Sequence, residues 1–278
     1  MSHVRLKFEG SSSSLIAFLH LDLLSHFSKK KIKAALEKKG CKVNGHLETF
    51  ASRTLKNGDE IVFDMTKIES KKRATILFED DHFIAIDKPP FMKVDAISIE
   101  RELGSNLTIV HRLDKETSGL LLLSKSKETT AKFEELFFKR KIEKTYLALV
   151  KGKCEKKSGF IDEPIFIEKK TSGSKKMGIG PCGDEAYTGY EVVNEKGNFA
   201  LIRCSPKSGR THQIRVHLEA IDLHILGDHV YGSAKNSASR VMLHSQKLKF
   251  DHPITGEPIF IEAKIPADFL EAQKRVGL

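Results

Sequence analysis

Residues 110–126 read V-H-R-L-D-K-E-T-S-G-L-L-L-L-S-K-S, from Val110 to Ser126, and the fold turns on how that stretch is read. Four leucines, Leu120 to Leu123, stand between Gly119 and the polar pair Ser124-Lys125. An apolar run this short, bounded by turn residues, predicts a strand buried on both faces. Asp114 precedes it, with His111-Arg112 on one side and the Thr117-Ser118-Gly119 turn on the other. An acid on a loop anchored by a core strand can project into a cleft, where functional side chains commonly sit. The simpler role for Asp114 is local: capping the turn or pairing with Arg112.

Upstream of this stretch, T-I-L-F-E-D from Thr75 and F-I-A-I-D-K after Asp81-His82 alternate as two hairpin strands. Lys88-Pro89-Pro90 ends the second by removing backbone donors, and Ser98 to Gly104 reads as a short helix with a glycine stop. Downstream, Lys127 to Arg140 has the period of an amphipathic helix with Ala131, Phe133, Leu136 and Phe137 inward. K-I-E-K-T-Y-L-A-L-V-K-G then reads as a strand with Tyr146 just ahead of its apolar part. The Gly- and Lys-rich segment Lys169 to Asp184 predicts a mobile loop near the substrate.

F-A-L-I-R-C is a further strand, leading into the basic loop and helix of S-G-R-T-H-Q-I-R-V-H-L. In that helix Ile214, Leu218 and Ile221 face inward, while Lys207, Arg210 and Arg215 gather around it. The end, V-M-L-H-S-Q-K-L-K-F-D-H-P and I-F-I-E-A across a Gly256 turn, reads as a closing pair of strands. The sum is an α+β domain over residues 75–278: a mixed, largely antiparallel sheet with flanking helices.

Before it lies a smaller pattern. Val4 to Phe8 alternates as a strand, Leu15 to Leu24 is a short apolar helix, and S-K-K-K-I-K-A-A-L-E-K-K-G is a helix with Ser28 as N-cap and Gly40 as stop. Its Ile32, Ala35 and Leu36 share one face and leave Lys29, Lys30 and Lys33 outward. An Asn44-Gly45 hairpin turn and an Asn57-Gly58-Asp59 turn into a strand follow. Residues 1–66 are therefore a small helix-hairpin domain, and 67–74, charged and without a core period, its linker.

The net charge of +10 favours a polyanionic partner. No apolar run reaches the ~20 residues of a bilayer span, and the first ten residues lack a signal-peptide core, so the expected place is the cytoplasm, with no membrane contact. Cys41, Cys154, Cys182 and Cys204 form no C-x-x-C pair, and His212 and His217 are five apart, off the spacing of a helical metal pair. Neither metal nor cofactor is expected. Glu79-Asp80-Asp81 could suggest a metal-dependent nuclease, but acids between hairpin strands are more often turn residues.

Four segments in this order, V-H-R-L-D-K-E-T-S-G-L-L-L-L-S-K-S, K-T-Y-L-A-L-V-K-G, S-G-R-T-H-Q-I-R-V-H-L with I-L-G-D-H-V-Y-G, and L-H-S-Q-K-L-K-F-D-H-P-I-T-G-E, resemble the RluA-type RNA pseudouridine synthases over about residues 75 to 270. The pattern departs after Lys88-Pro89, where Phe91 and Asp95 replace an expected glycine and histidine. The resemblance implies a pseudouridine synthase-like fold and an isomerase that turns uridine in structured RNA into pseudouridine. It implies that Asp114 is the nucleophile, Tyr146 the ring that stacks on the target base and assists proton removal at carbon 5, and Arg215 the basic partner of Asp114. Arg112, which displaces the base, His111 and Arg210 would contact RNA.

The order of the lysine helix, V-N-G and N-G-D over roughly residues 14 to 64 resembles the small RNA-binding module first known from a small-subunit ribosomal protein. Lys29, Lys30 and Lys33 would then lie along RNA phosphates, ribosomal RNA ahead of transfer RNA, and the chain is taken as a monomer. The alternative is a non-catalytic RNA-binding or ribosome-assembly factor on the same fold.

Overall fold

The computed structural model describes every residue except 1, 2, 25, 26, 28, 69–72, 105, 172, 173 and 233–237. It divides into two compact units, Met1–Lys72 and Arg73–Leu278. The first runs β1 (His3–Lys7), β2 (Ser13–Ser14), α1 (Leu15–Asp22), α2 (Lys29–Glu37), β3 (Cys41–Val43), β4 (His46–Leu47), β5 (Thr54–Leu55) and β6 (Glu60–Asp64). A four-stranded sheet in the order β1-β6-β3-β4 packs with α1 and α2 around Leu15, Leu19, Ile32, Leu36, Ile61 and Phe63. Ile68, inside the expected linker, belongs to this core as well, so the unit runs past Thr66.

The N-cap read at Ser28 falls outside the described residues. At the other end of α2, Lys39 and not Gly40 takes the left-handed conformation, at φ 61°. Gly40 N–H donates to the Ala35 carbonyl and Lys39 N–H to that of Leu36, the paired bonds of a Schellman cap. The glycine is needed for closeness instead: a Cβ there would stand 2.7 Å from the Ala35 oxygen. The two turn motifs interlock, since Asn44 Nδ2 donates to Asp59 Oδ1 and Asn44 Oδ1 accepts the Glu60 N–H, each at 2.8 Å.

The second unit runs β7 (Thr75–Glu79), β8 (Phe83–Lys88), α3 (Ala96–Leu103), β9 (Thr108–Ile109), β10 (Ser118–Ser124), α4 (Lys127–Phe138), β11 (Glu143–Lys151), β12 (Ser158–Asp162), β13 (Ile165–Thr171), β14 (Ser174–Ile179), β15 (Tyr187–Lys196), β16 (Phe199–Pro206), α5 (Gln213–Glu219), β17 (His224–Ile225), β18 (Leu243–Asp251), β19 (Pro258–Glu262) and α6 (Ala267–Arg275). Its main sheet follows the order β12-β15-β16-β11-β18-β10-β8-β7. All its pairings are antiparallel except β10 with β18. β10 is buried from end to end: Leu121 and Leu123 enter the core shared with Leu147, Leu149 and Ile202, while Leu120 and Leu122 pack with Phe83, Phe133 and Phe250 on the opposite face.

Three expectations change. β18 does not close the sheet but lies inside it, between β11 and β10, which puts the chain's last long strand next to the Asp114 loop. Gly119 permits that approach, at φ 106°, because a Cβ would fall 2.1 Å from the Ser245 carbonyl oxygen. Most of Lys169 to Asp184 is part of a hairpin of β13 and β14, whose Met177 is buried beside Val216 and Tyr231, so glycine content alone misled. On α4 the buried stripe is Thr129 and Phe133, flanked by Leu136 and Phe137; Ala131, half a turn away, is exposed. Asp95, at the departure after Lys88-Pro89, is the N-cap of α3, accepting the Ser98 N–H at 2.8 Å.

Candidate active site

Asp114 lies on the loop between β9 and β10, in the wall of a cleft of about 320 Å³ shared with Tyr146, His212 and Arg215. The loop is pinned from beneath. Lys88, fully buried, donates to the carbonyls of Pro89, Met92 and Lys115 at 3.0, 3.2 and 3.2 Å. Burial pulls its ammonium down to about 7. Arg240, also buried, pairs through Nε and Nη2 with Asp268 at 2.7 and 3.1 Å and donates to the Glu116 carbonyl at 3.3 Å. The Glu116 carboxylate accepts the Val241 N–H at 3.1 Å. These contacts fix the backbone on the C-terminal side of Asp114 to within a rotamer's freedom of the cleft.

The other side comes from α5, 101 residues along the chain, where Arg215 Nη1 donates to Asp114 Oδ2 at 3.1 Å. Arg215 is itself held by a bidentate pair, Nε and Nη2 to Asp228 at 2.6 and 2.9 Å. Burial alone would lower the guanidinium, but the hydrogen bonds and charge of Asp228, with Asp114 adding, raise it above its ordinary value. Arg215 is thus a fixed cation that also donates through Nη1 to Asp114.

Tyr231 lies against the other face of Arg215, its ring 5.0 Å from the guanidinium carbon. Its hydroxyl accepts the Met177 N–H at 2.8 Å and sits 2.9 Å from His212 Nδ1. Burial pushes that phenol up to about 12, so it keeps its proton. His212 Nε2 stands 3.9 Å from Asp114 Oδ2. Burial also holds the His212 imidazole below its ordinary value.

Tyr146, on β11, is buried beside Asp114 in the same cleft, and burial pushes its phenol up to about 12. Arg112 is exposed at the rim. Arg210 is exposed too, with Nε on the Glu185 carbonyl at 3.0 Å. His111 faces inward: its Nε2 accepts the Leu122 N–H at 2.9 Å and its ring rests on Phe137 at 5.1 Å. Burial pulls it down to about 3, so the ring is neutral where it braces the loop and lines the cleft. Lys29, Lys30 and Lys33 belong to the first unit, exposed on α2.

Within S-G-R-T-H-Q-I-R-V-H-L the roles therefore split. Gln213 is a structural knot: its Oε1 accepts from the Ser208 hydroxyl and the Arg210 N–H, and its Nε2 donates to the Tyr187 carbonyl and Thr188. His217 is bonded to Thr188 and the Glu163 carbonyl. Asp80 accepts the N–H of His82 and Phe83 and pairs with the ring of His252, which makes it a turn residue, while Glu79 ends β7 and pairs with Lys125. Sequence reasoning gave no role at this site to Lys88, His212, Asp228, Tyr231 or Arg240. Asp228 and Tyr231 left a trace, since both lie in I-L-G-D-H-V-Y-G.

The sequence over residues 82–220 matches the family model described as RNA pseudouridylate synthase. An uncharacterized RNA pseudouridine synthase of Bacillus subtilis (strain 168) is 31% identical over 264 residues, covering 87% of this chain and 86% of that one. The ribosomal large subunit pseudouridine synthase C of Escherichia coli (strain K12) is 33% identical over 208 residues, 68% of this chain and 65% of that one. Among solved structures, human RNA pseudouridylate synthase domain containing 4 superposes with a TM-score of 0.60 at 26% identity, covering 72% of this chain and 92% of that one.

Proposed function

The chain belongs to the RNA pseudouridylate synthase family and is an isomerase that makes pseudouridine in RNA; from that premise we propose that Asp114 is its nucleophile and that ribosomal RNA is its substrate. The observation that carries the residue roles is the 3.1 Å bond from Arg215 to Asp114 in a cleft that also holds Tyr146.

The reaction breaks the bond from N1 of uracil to C1′ and forms one from C5 to C1′; a proton leaves C5 and one is gained at N1. Nothing is oxidised or reduced, so the chemistry asks for no redox cofactor. A carboxylate held in place by a guanidinium suits a nucleophile that must attack and later leave. Tyr146, with its proton retained at neutral pH, stacks on the detached base and keeps it in the pocket while it turns. His212 Nε2, 3.9 Å from the Asp114 oxygen that Arg215 binds, adds a second polar neighbour to the carboxylate.

The target base has to leave its stack to reach the cleft, at a cost of a few kcal/mol. Arg112 at the rim takes the place of the displaced base, and Arg210 contacts the RNA backbone. Residues 1–66 act as an RNA-binding module, with Lys29, Lys30 and Lys33 along the phosphates. The name of the E. coli relative supports ribosomal over transfer RNA. The setting would be the cytoplasm, and the enzyme a monomer.

The test is to incubate the protein with ribosomal and transfer RNA lacking pseudouridine, map new pseudouridine at nucleotide resolution, and run Asp114→Asn alongside. The expected outcome is product at defined positions in ribosomal RNA from the parent, none from Asp114→Asn, and RNA binding retained by both. Product from the mutant overturns the nucleophile; product only in transfer RNA overturns the substrate.

A further inference from the structure

Lys144 has no part in the arrangement described so far. It lies two residues ahead of Tyr146 on β11, and both line the cleft. Its side chain lines the Asp114 cleft, and its Nζ donates to the Ser208 carbonyl at 2.8 Å. An ammonium has three hydrogens, so two remain for other acceptors. Arg215 and Arg240 each hold a carboxylate. Among the described residues Lys144 holds none, and the charge that acts on it is that of Lys207, a second cation lining the same wall. Burial, with Lys207 adding, pulls it down to about 8.

Two like charges converging on a partly desolvated wall oppose each other until an anion joins them. The loop between them is already rigid, because all four hydrogen bonds of Gln213 go to Tyr187, Thr188, Ser208 and Arg210. A rigid loop with two cations presents a binding surface with little left to order on association.

We propose that Lys144 and Lys207, braced by the loop from Ser208 to Thr211, bind the backbone phosphate adjoining the target uridine. This rests on the pseudouridine synthase reading and adds a subsite to it. A phosphate accepts from both ammonium groups at once, as charge-assisted bonds do. With the phosphate placed there, Arg215 and Asp114 meet the sugar end of the nucleotide and Tyr146 its base. The contact is independent of sequence, so it sets the register of the strand in the cleft and leaves the choice of uridine to other contacts.

The test measures the affinity of full-length Asp114→Asn, which binds without turnover, for ribosomal RNA at several salt concentrations. Lys144→Gln, Lys144→Arg and Lys207→Gln are each added to it. Gln keeps a donor for the Ser208 carbonyl and loses the charge. The expected result for Lys144→Gln and for Lys207→Gln is a salt slope smaller by about 0.7 to 0.9 and affinity weaker by roughly tenfold. Lys144→Arg keeps the parent slope. Weaker binding with an unchanged slope in Lys144→Gln would mean a neutral base group is the partner, and unchanged binding would mean no RNA contact; either overturns the proposal. If Lys144→Gln folds poorly, Lys207→Gln decides: an unchanged slope there also overturns it. Product formation by the parent reports separately on the enzyme reading, which can fail while the slope difference stands.

Discussion

Lys29, Lys30 and Lys33 stand in water along α2, whereas Lys88, Arg215 and Arg240 of the second unit are 0%, 7% and 1% exposed. The exposed lysines have no fixed geometry to keep and act at a distance, as screened charges do. The buried cations act through direct hydrogen bonds: to three carbonyls for Lys88, to two carboxylates for Arg215, and to a carboxylate and loop carbonyls for Arg240. The same residue types therefore sit in two settings: solvated on α2 in one unit, and holding the Asp114 loop and its acid in place in the other.

The largest effect that would sharpen this contrast is expected from Arg240→Met. Removing a buried cation takes the guanidinium from Asp268 and the donor from the Glu116 carbonyl, which should cost on the order of 3 kcal/mol. Urea unfolding should show it, together with a loss of activity out of proportion to the distance from the cleft; a shift below about 0.5 kcal/mol would break the idea that this cation holds the loop.

His111→Gln comes next. The folded pKa of His111 is pulled down to about 3 from the ordinary 6.5 by burial. Between those values the unfolded chain binds a proton the folded chain does not, so stability contributed by the neutral ring is present above the ordinary value and is lost as pH falls toward the folded one. Gln keeps an acceptor for the Leu122 N–H and cannot titrate. The parent should lose stability more steeply than the variant between about pH 6 and pH 4, by unfolding at each pH; equal slopes would place the ring in contact with water.

The smallest effect on the fold belongs to the triple change of Lys29, Lys30 and Lys33 to Gln. Stability should stay within about 0.5 kcal/mol, while the salt slope of RNA binding falls by up to about 2 to 3. An unchanged slope would remove α2 from the RNA-binding surface.

Much of the architecture was legible. The leucine run became β10 because short apolar runs flanked by turn residues have few other stable placements. The Asn44-Gly45 turn has both residues at positive φ, as a two-residue hairpin needs. The error over Lys169 to Asp184 shows the limit: glycine and lysine mark a segment that can be a loop, but β13 and β14 pair with each other and seat Met177 under Tyr231. His111 and Arg112, adjacent in sequence, were read together, yet one ring is half-buried against Phe137 and the other side chain is exposed.

What the sequence determined by itself is whatever depends on near neighbours: the strand and helix periods, the turns, the order of the motifs and the acid at the mouth of β10. Tertiary structure alone decided which groups meet that acid. Arg215 reaches Asp114 from 101 residues away, and Asp228 and Tyr231 reach Arg215 from a loop beyond α5. β18 threads between β11 and β10 to bring Arg240 and its neighbours under the Asp114 loop. Side-chain period reports which face a residue takes within its own element. Which elements become neighbours is settled by sheet order and by the burial of cations that need a distant partner.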